Sequence, residues 1–213
     1  PGSGRPASVP PRIHVFDPAT QSAPACPAFT GIRVYRDALL PDEAALLLTT
    51  IGAAPFLPSQ SGKQKQHFGP RFNFTKRRMN ARGFEGLPGW AHALEARLRE
   101  CVRSDDIGDE LDRAACRAAL DVYETTDAFV LRYFEREQSN LDFHVDDLYA
   151  YGEAILDVSL ESDGWLTFLG PFDGDAPAAH LEAVRVPLPA RSIAVVYGAA
   201  RFAWQHAILP ADV

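Results

Sequence analysis

Residues 129–160 read FVLRYFEREQSNLDFHVDDLYAYGEAILDVSL, and this stretch decides the expected fold. Its short apolar runs are separated by polar and turn residues, a pattern typical of β-strands. At its centre lies His144-Val145-Asp146. Alternate residues of a strand project to the same face, so we expect the imidazole and the carboxylate to point the same way.

His206 offers a second imidazole that would complete a set of two histidines and one carboxylate. Such a set occupies one face of an octahedral non-haem iron and leaves the other positions open. With six histidines and 28 acidic residues, one His-x-Asp/Glu is expected by chance roughly once per chain, and His180-Leu181-Glu182 is a second example. Spacing alone therefore leaves open both a metal site and ordinary strand or surface histidines. We favour His144 and Asp146 because His144 ends a predicted strand. Residues 170–179 beside His180 are instead rich in Gly, Pro and Ala, which indicates a loop.

Further short strands are predicted after this stretch and helices before it. The predicted strands follow at 165–169, 181–186, 192–196 and 202–208. Amphipathic patterns predict helices at 41–52, with Leu46, Leu47 and Ile51 inward, at 88–102, and at 111–120, after a short strand at Ile32–Tyr35. The predicted fold class is α+β, with a double-stranded β-helix (jelly roll) core and flanking N-terminal helices. Trp165 and Trp204 are expected to pack in the core.

The N-terminal residues differ in composition from the rest of the chain. Residues 1–28 contain seven prolines and are predicted to be an extended or disordered lead-in, followed by one domain at 29–213. This length suffices to bury a core, so a metal would be catalytic rather than structural. Three scattered cysteines predict no disulfide framework. No apolar run approaches the length of a membrane span, so we expect an intracellular protein, nuclear or cytoplasmic, without membrane contact. We also expect a monomer.

Charge is distributed unevenly along the chain. The net charge is −7, which argues against a protein that coats nucleic acid. Residues 61–82 nevertheless carry seven basic side chains and no acidic one, namely Lys63, Lys65, Arg71, Lys76, Arg77, Arg78 and Arg82, with Phe68, Phe72 and Phe74 between them. Basic residues for phosphates and aromatic residues for a flipped base would suit a lid that binds nucleic acid. The alternative is a hairpin whose phenylalanines face the core and whose other face is solvated.

Three blocks of sequence carry a resemblance to a known family. They are residues 59–88, SQSGKQKQHFGPRFNFTKRRMNARGFEGLP, residues 129–160, and residues 187–208, PLPARSIAVVYGAARFAWQHAI. In this order they resemble the substrate lid, the tyrosine strand with the H-x-D-D motif, and the G-x-A-R-x-x-W-x-H loop of the AlkB family of Fe(II)/2-oxoglutarate dioxygenases. Within that family they are most similar to the subfamily of the fourth AlkB homologue. The resemblance implies a lid at about 59–87 and a jelly-roll core at about 127–213.

The resemblance also implies roles for individual residues. His144, Asp146 and His206 would bind Fe(II), and Tyr133 would hydrogen-bond the co-substrate 2-oxoglutarate. Arg201 matches a motif position whose role is structural or in the pocket. Tyr197 is expected to line the substrate pocket, and Asp147 to orient His144, contact the substrate or act as a solvated turn acid. The family also has an R-x-x-x-x-x-R pair on a strand after the distal histidine, whereas no Arg follows His206 in this sequence. We therefore expect that strand to be missing from this chain. The alternative is another mode of co-substrate binding.

The activity implied by the resemblance is oxidative N-demethylation with release of formaldehyde, succinate and CO₂. The expected substrate is N6-methyladenine in DNA or RNA, so a methylated nucleic acid is the expected partner. Two alternatives stay open. One is demethylation of methyl-lysine in an acidic protein such as actin, and the other is an AlkB-like module that binds without turnover.

Overall fold

The computed structural model describes residues 10–173 and 176–212 and divides them into helices and short strands. The helices are α1 (Pro41–Gly52), α2 (Gly89–Ser104), α3 (Glu110–Asp121) and α4 (Gly198–Phe202). The first seven strands are β1 (Arg12–Val15), β2 (Ile32–Tyr35), β3 (Leu57–Pro58), β4 (Gln64–Phe68), β5 (Arg71–Asn73), β6 (Arg78–Asn80) and β7 (Ala128–Arg132). The others are β8 (Leu141–His144), β9 (Ala154–Ser159), β10 (Gly164–Asp173), β11 (Ala176–Leu188), β12 (Ser192–Tyr197) and β13 (Gln205–Ile208).

Two sheets enclose the main core. The larger has the strand order β1-β11-β10-β13-β8, and the smaller has the order β2-β12-β9. Side chains from both sheets share one apolar cluster, with Phe168 and Val184 from the larger and Val34 and Ala194 from the smaller. The predicted α+β class is therefore confirmed. Two sheets around one core are compatible with a jelly roll, which stays a prediction.

The lid region forms two separate β structures. Strand β4 lies between β3 and β7 in a three-stranded sheet, and β5 pairs with β6 alone as a hairpin. The register of that hairpin places Phe72 opposite Met79. The predicted lid at 59–87 is thus only partly a hairpin, because β4 belongs to the body of the protein.

Helices α2 and α3 pack on the outer face of the smaller sheet. Leu98 of α2 and Leu120 of α3 share a cluster with Ile193 and Val195 of β12. This packing is possible because alternate residues of β12 face opposite sides: 194 and 196 face the inter-sheet core, and 193 and 195 face the helices. Strand β12 is therefore apolar on both faces.

The predicted apolar stripe of α1 is wrong at one position. Leu47 is 8% exposed and Ile51 is buried, as expected, but Leu46 is 68% exposed. The third inward position is Ala44, three residues before Leu47. A helix turns by 3.6 residues, so 44, 47 and 51 share a face that 46 leaves.

The N-terminal segment belongs to the domain earlier than predicted. Strand β1 pairs in parallel with β11, with Arg12 opposite Glu182 and Val15 opposite Arg185. Phe16 and Cys26 are buried in the main core. The boundary predicted at residue 29 is therefore corrected to Arg12 or before; the prediction for residues 1–9 lies outside the described residues. The prolines stop helix formation but leave short extended pairing possible.

The last predicted strand is also shorter than expected. Residues 198–202 form α4, and the strand begins only at Gln205. Trp204, between them, is fully buried against Phe29, as predicted for a core residue. Trp165 is only half-buried and lies under the guanidinium of Arg185. Across the described ranges, the structure contains no helix of the length and apolarity needed to cross a membrane.

Candidate metal centre

The three predicted ligands lie at one place in the larger sheet. Strand β8 ends at His144, and His206 lies directly opposite it on the antiparallel strand β13. Side chains at facing positions of two antiparallel strands are close neighbours. Asp146 follows β8 by two residues, in the loop beyond the strand end, so strand alternation alone does not set its direction.

The ligand atoms of these residues converge. One ligand atom from each of His144, Asp146 and His206 lies within 4.8 Å of the others. The two carboxylate oxygens of Asp146 lie 3.5 Å from Nε2 of His144 and 3.6 Å from Nε2 of His206. Two imidazoles and a carboxylate in this arrangement form the donor set of a non-haem iron site with open coordination positions. The residues present therefore fit a divalent iron.

A backbone carbonyl fixes the orientation of His144. Its Nδ1–H donates to the carbonyl oxygen of Asp142 at 2.8 Å, which turns Nε2 towards the centre. Metal-binding histidines commonly donate their second ring N–H in this way. The sequence did not identify this partner, because a backbone carbonyl leaves no signal in residue types.

His206 is poised to act as a neutral ligand. Burial lowers its pKa to about 4, although the charge of Asp146 opposes that shift. The apolar ring of Phe168, opposite His206 on the neighbouring strand, adds to this burial. At neutral pH the imidazole of His206 therefore carries no proton on one nitrogen, as metal binding requires.

Hydrogen bonds and charge hold Asp146 in its ionised form. Burial alone would raise the pKa of its carboxyl, but the hydrogen bond from His144 and nearby positive charge, including that of Arg201, hold that pKa below its usual value. The same hydrogen bond raises the pKa of His144. A bound cation would replace that proton between the two side chains, so metal binding should release protons.

Arg201 supports the loop that carries Asp146. It is 2% exposed, and its guanidinium donates to the carbonyl oxygens of Asp146 at 2.9 Å and Asp147 at 3.2 Å. A longer contact, 3.4 Å, reaches the carbonyl of Tyr151. These contacts anchor the backbone beside the centre, in agreement with the structural alternative of the two expected roles.

Two polar side chains lie in the buried surroundings of the centre. The hydroxyl of Tyr133 is buried and has no hydrogen-bond partner among the described residues. Asp157 of β9 shares a strand face with Ile155, which packs on the main core, so its carboxyl points between the sheets. Burial and the charge of Asp146 raise the pKa of Asp157 to about 7. The sequence analysis missed Asp157, although its odd position in an apolar strand was a usable signal.

An unpaired buried hydroxyl is unfavourable unless a ligand uses it. Tyr133 therefore fits a ligand with an acceptor group, such as the carboxylate of 2-oxoglutarate. Burial, together with the charge of Asp157, raises the pKa of Tyr133, so this hydroxyl keeps its proton and can donate it. The buried Tyr133 hydroxyl, without a partner among the described residues, thus lies at the sequence position where the resemblance predicts a contact with 2-oxoglutarate.

Two other predicted pocket residues lie elsewhere. Tyr197 is 2% exposed within the cluster under α2 and α3, and its hydroxyl donates to the carboxylate of Asp112 at 2.8 Å. The expectation that it lines the pocket is therefore wrong. Asp147 accepts hydrogen bonds from the backbone N–H groups of Tyr149 and Ala150, both at 2.8 Å. It acts as a turn acid, and Asp142 is the residue that orients His144.

The predicted lid residues separate into anchored and exposed groups. Lys63 is buried, and its ammonium donates to the carbonyls of Gln60 and Asn140, which also keeps it from phosphates. Phe68 packs edge-on against Trp90 of α2, as the alternative interpretation expected. Lys65 is half-buried on β4.

The exposed group belongs to the β5–β6 hairpin. Arg71, Lys76, Arg77 and Arg78 are exposed, and the rings of Phe72 and Phe74 lie edge to face, 4.9 Å apart. The guanidinium of Arg77 lies over the ring of Tyr149, with 4.1 Å between its carbon and the ring centroid. Since Tyr149 follows Asp146 by three residues, this hairpin reaches the edge of the metal centre.

The second His-x-Glu pair lies outside the centre, as expected. His180 is exposed on β11, and Glu182 accepts a hydrogen bond of 2.7 Å from His14. Glu182 therefore links β11 to the N-terminal strand.

Comparison with known proteins gives consistent relatives, although no family model matches the chain. The human and mouse proteins named "Alpha-ketoglutarate-dependent dioxygenase alkB homolog 4" are 31% and 27% identical, covering 84% of this chain. A Caenorhabditis elegans "DNA N6-methyl adenine demethylase" is 24% identical over 84% of this chain. The chain spans only 62% of the human and mouse relatives and 54% of the C. elegans one.

One solved structure supports the same fold. The structure of OsALKBH1 superposes with a TM-score of 0.57 over 85% of both chains, at 13% sequence identity. At that identity the similarity concerns the fold alone. It agrees with the mixed helices and sheets described above.

Proposed function

Because this chain belongs to the AlkB family, we propose that it is an Fe(II)- and 2-oxoglutarate-dependent dioxygenase that removes N-methyl groups. The observation that carries the proposal is the convergence of His144, Asp146 and His206 within 4.8 Å. The lengths of the relatives exceed that of this chain, so their activities serve only as support.

Described residues would hold both the iron and the 2-oxoglutarate that this function requires. His144, Asp146 and His206 would hold the iron, and the hydroxyl of Tyr133 would donate to a carboxylate of 2-oxoglutarate. Together these groups supply the oxidising chemistry that an N-methyl carbon requires. The protein's own part is to keep His206 neutral, to orient His144 through Asp142 and to hold the Asp146 loop through Arg201.

The proposed substrate is N6-methyladenine in DNA or RNA. Exposed basic residues of the β5–β6 hairpin could contact phosphates, and Phe72 or Phe74 could stack on a base. The name of the C. elegans relative, a DNA N6-methyl adenine demethylase, supports this choice. A methyl-lysine substrate in an acidic protein is the second candidate, because the same basic hairpin would attract it.

Product analysis tests the catalytic proposal. We expect the iron-loaded protein to release formaldehyde and succinate in equal amounts from an N6-methyladenine oligonucleotide. The variant His206→Ala should lose both products, whereas the matched control His180→Ala, an exposed histidine, should keep them. Binding of the oligonucleotide without either product would instead support a non-catalytic module. Release of both products only from a methyl-lysine peptide of actin would select the second candidate.

Salt dependence tests the nucleic-acid interface. The double variant Lys76→Ala/Arg78→Ala should weaken binding to single-stranded oligonucleotides and reduce the slope of log K against log salt by about 1.4. The control Arg12→Ala/Arg136→Ala removes the same charge from exposed positions outside the hairpin and should leave that slope unchanged. Equal slopes for both double variants would contradict a role of the hairpin in phosphate binding.

A further inference from the structure

A cation–π contact joins the β5–β6 hairpin to the loop that carries Asp146. Arg77 lies in the turn at 74–77 and adopts a left-handed backbone conformation, with φ of 48°. From there its guanidinium covers the ring of Tyr149 at 4.1 Å. A guanidinium over an aromatic face at this distance is attracted by the ring. A left-handed arginine is uncommon, so the turn holds this side chain in an unfavourable backbone state where it meets Tyr149.

Tyr149 sits in a turn that hydrogen bonds connect to Asp147, the residue after Asp146. The Asp147 carboxylate accepts from the N–H of Tyr149, and the Asp147 carbonyl accepts from the N–H of Tyr151. The buried Arg201 binds the carbonyls of Asp146 and Asp147 from behind. The position of the Tyr149 ring is therefore tied to the backbone that carries a metal ligand.

The neighbours of these two residues lack the contact. Arg78 is exposed, and no ion pair or aromatic contact of its guanidinium occurs within the described part of the chain. Leu148 is exposed beside Tyr149, in the same turn. These residues differ from Arg77 and Tyr149 by one position and supply matched controls.

We propose that the stacking of Arg77 on Tyr149 latches the β5–β6 hairpin to the turn that carries Asp146. Arg77 and Tyr149 are then positioning residues that set where the lid stands beside the metal centre. The proposal deepens the proposed function, since it assigns to the lid a fixed reference in the catalytic loop.

Hydrogen exchange of the metal-free protein, read by mass spectrometry over residues 71–80, tests the latch. Arg77→Ala and Tyr149→Ala should each speed exchange of the hairpin amides about two- to fivefold, the loss expected for an exposed cation–π contact. Arg78→Ala and Leu148→Ala should leave it unchanged. Tyr149→Phe, which keeps the ring, should behave as the unsubstituted protein.

The double variant Arg77→Ala/Tyr149→Ala should exchange no faster than either single variant, because both remove one interaction. Equal exchange in Arg77→Ala and Arg78→Ala would overturn the latch, and so would additive effects in the double variant. Unchanged melting temperatures of the exposed-site variants would show that the chain still folds.

The latch and the proposed function can fail separately. The exchange experiment needs no metal, whereas Mn²⁺ binding to the triad is measured by calorimetry on the same samples. Rapid exchange in Arg77→Ala without any Mn²⁺ binding would contradict the metal centre and support the latch. Mn²⁺ binding with no change of exchange in Arg77→Ala would contradict the latch and support the metal centre.

Discussion

At the scale of single residues, Arg201 contacts the backbone of Asp146 without being one of the three residues whose ligand atoms converge. Its planar guanidinium serves the carbonyls of Asp146 and Asp147 at once from a buried position. A lysine keeps the charge but not the fork of donors. One substitution therefore separates charge from geometry.

We expect Arg201→Lys to weaken Mn²⁺ binding about 10- to 100-fold, as the loss of a partner behind the ligands usually does. The cause is a loosened Asp146 loop. Calorimetry measures the affinity, and Arg136→Lys, at an exposed position, is the control. An affinity equal to that of the unsubstituted protein would show that Arg201 does not influence metal binding.

Asp157 predicts a pH dependence of stability in the metal-free protein. Its folded pKa is about 7, against an ordinary value of 3.8, so the folded state binds more protons than the unfolded state between these pH values. The contribution of Asp157 to stability is therefore present below pH 4, falls as the pH rises and reaches its lowest level above pH 7.

The variant Asp157→Asn should remove this loss of stability at rising pH. Its advantage in unfolding free energy should grow with pH by at most about 1.4 kcal/mol per unit between pH 4 and 7. Denaturant unfolding at several pH values measures it, and Asp106→Asn, at an exposed position, should show no such trend. If the unfolding free energies of the two variants changed with pH in the same way, Asp157 would ionise normally.

The residues of the centre were predictable to different degrees. His144, Asp146 and His206 were identified from residue types, spacing and resemblance, and the structure brings them together. Tyr197 was misplaced because position 197 falls on the helix-facing side of β12, and the sequence does not reveal which side of a doubly apolar strand faces the pocket. Lys63 was misplaced because a basic residue type does not reveal bonding to backbone carbonyls.

At the scale of elements, α1 offers a sharp test of the packing. Leu46 and Leu47 are adjacent and chemically identical, yet they are 68% and 8% exposed. We expect Leu47→Ala to lower the free energy of unfolding by about 2–3 kcal/mol, through lost burial and the cavity left behind. Leu46→Ala should change it by less than about 0.5 kcal/mol. Similar effects measured in urea would place α1 differently on the body.

Helices were easier to predict than strand ends. The predicted helix at 111–120 lies within α3, and the predicted helix at 88–102 within two residues of α2, because apolar periodicity persists over several turns. The run at 202–208 mixed the end of α4 with β13, since an apolar run of seven residues fits either type. Strand β1 was missed because prolines surround it.

At the scale of the whole molecule, the centre joins elements distant in sequence. His144 and His206 lie on strands of the larger sheet, and Asp146 is in the loop that Arg201 of α4 supports. A metal that binds only when these elements are in place must stabilise the folded state. Such a metal would link local coordination to global stability.

Mn²⁺ at about 100 times its dissociation constant should raise the free energy of unfolding by about 2.7 kcal/mol. For a chain of this size that shifts the melting temperature by several degrees. His144→Ala should abolish the shift, and His180→Ala should keep it. A shift that survives in His144→Ala would mean that Mn²⁺ stabilises the protein at another site.

The parallel pairing of β1 with β11 has a consequence for solubility. Strand β11 is the longest strand, with 13 residues, and β1 covers part of its outer edge from Glu182 to Arg185. An uncovered edge presents unpaired N–H and C=O groups to any other strand that approaches it. A shortened chain that begins at residue 29 would expose this edge, and we expect it to aggregate through edge-to-edge pairing even with His144, Asp146 and His206 in place.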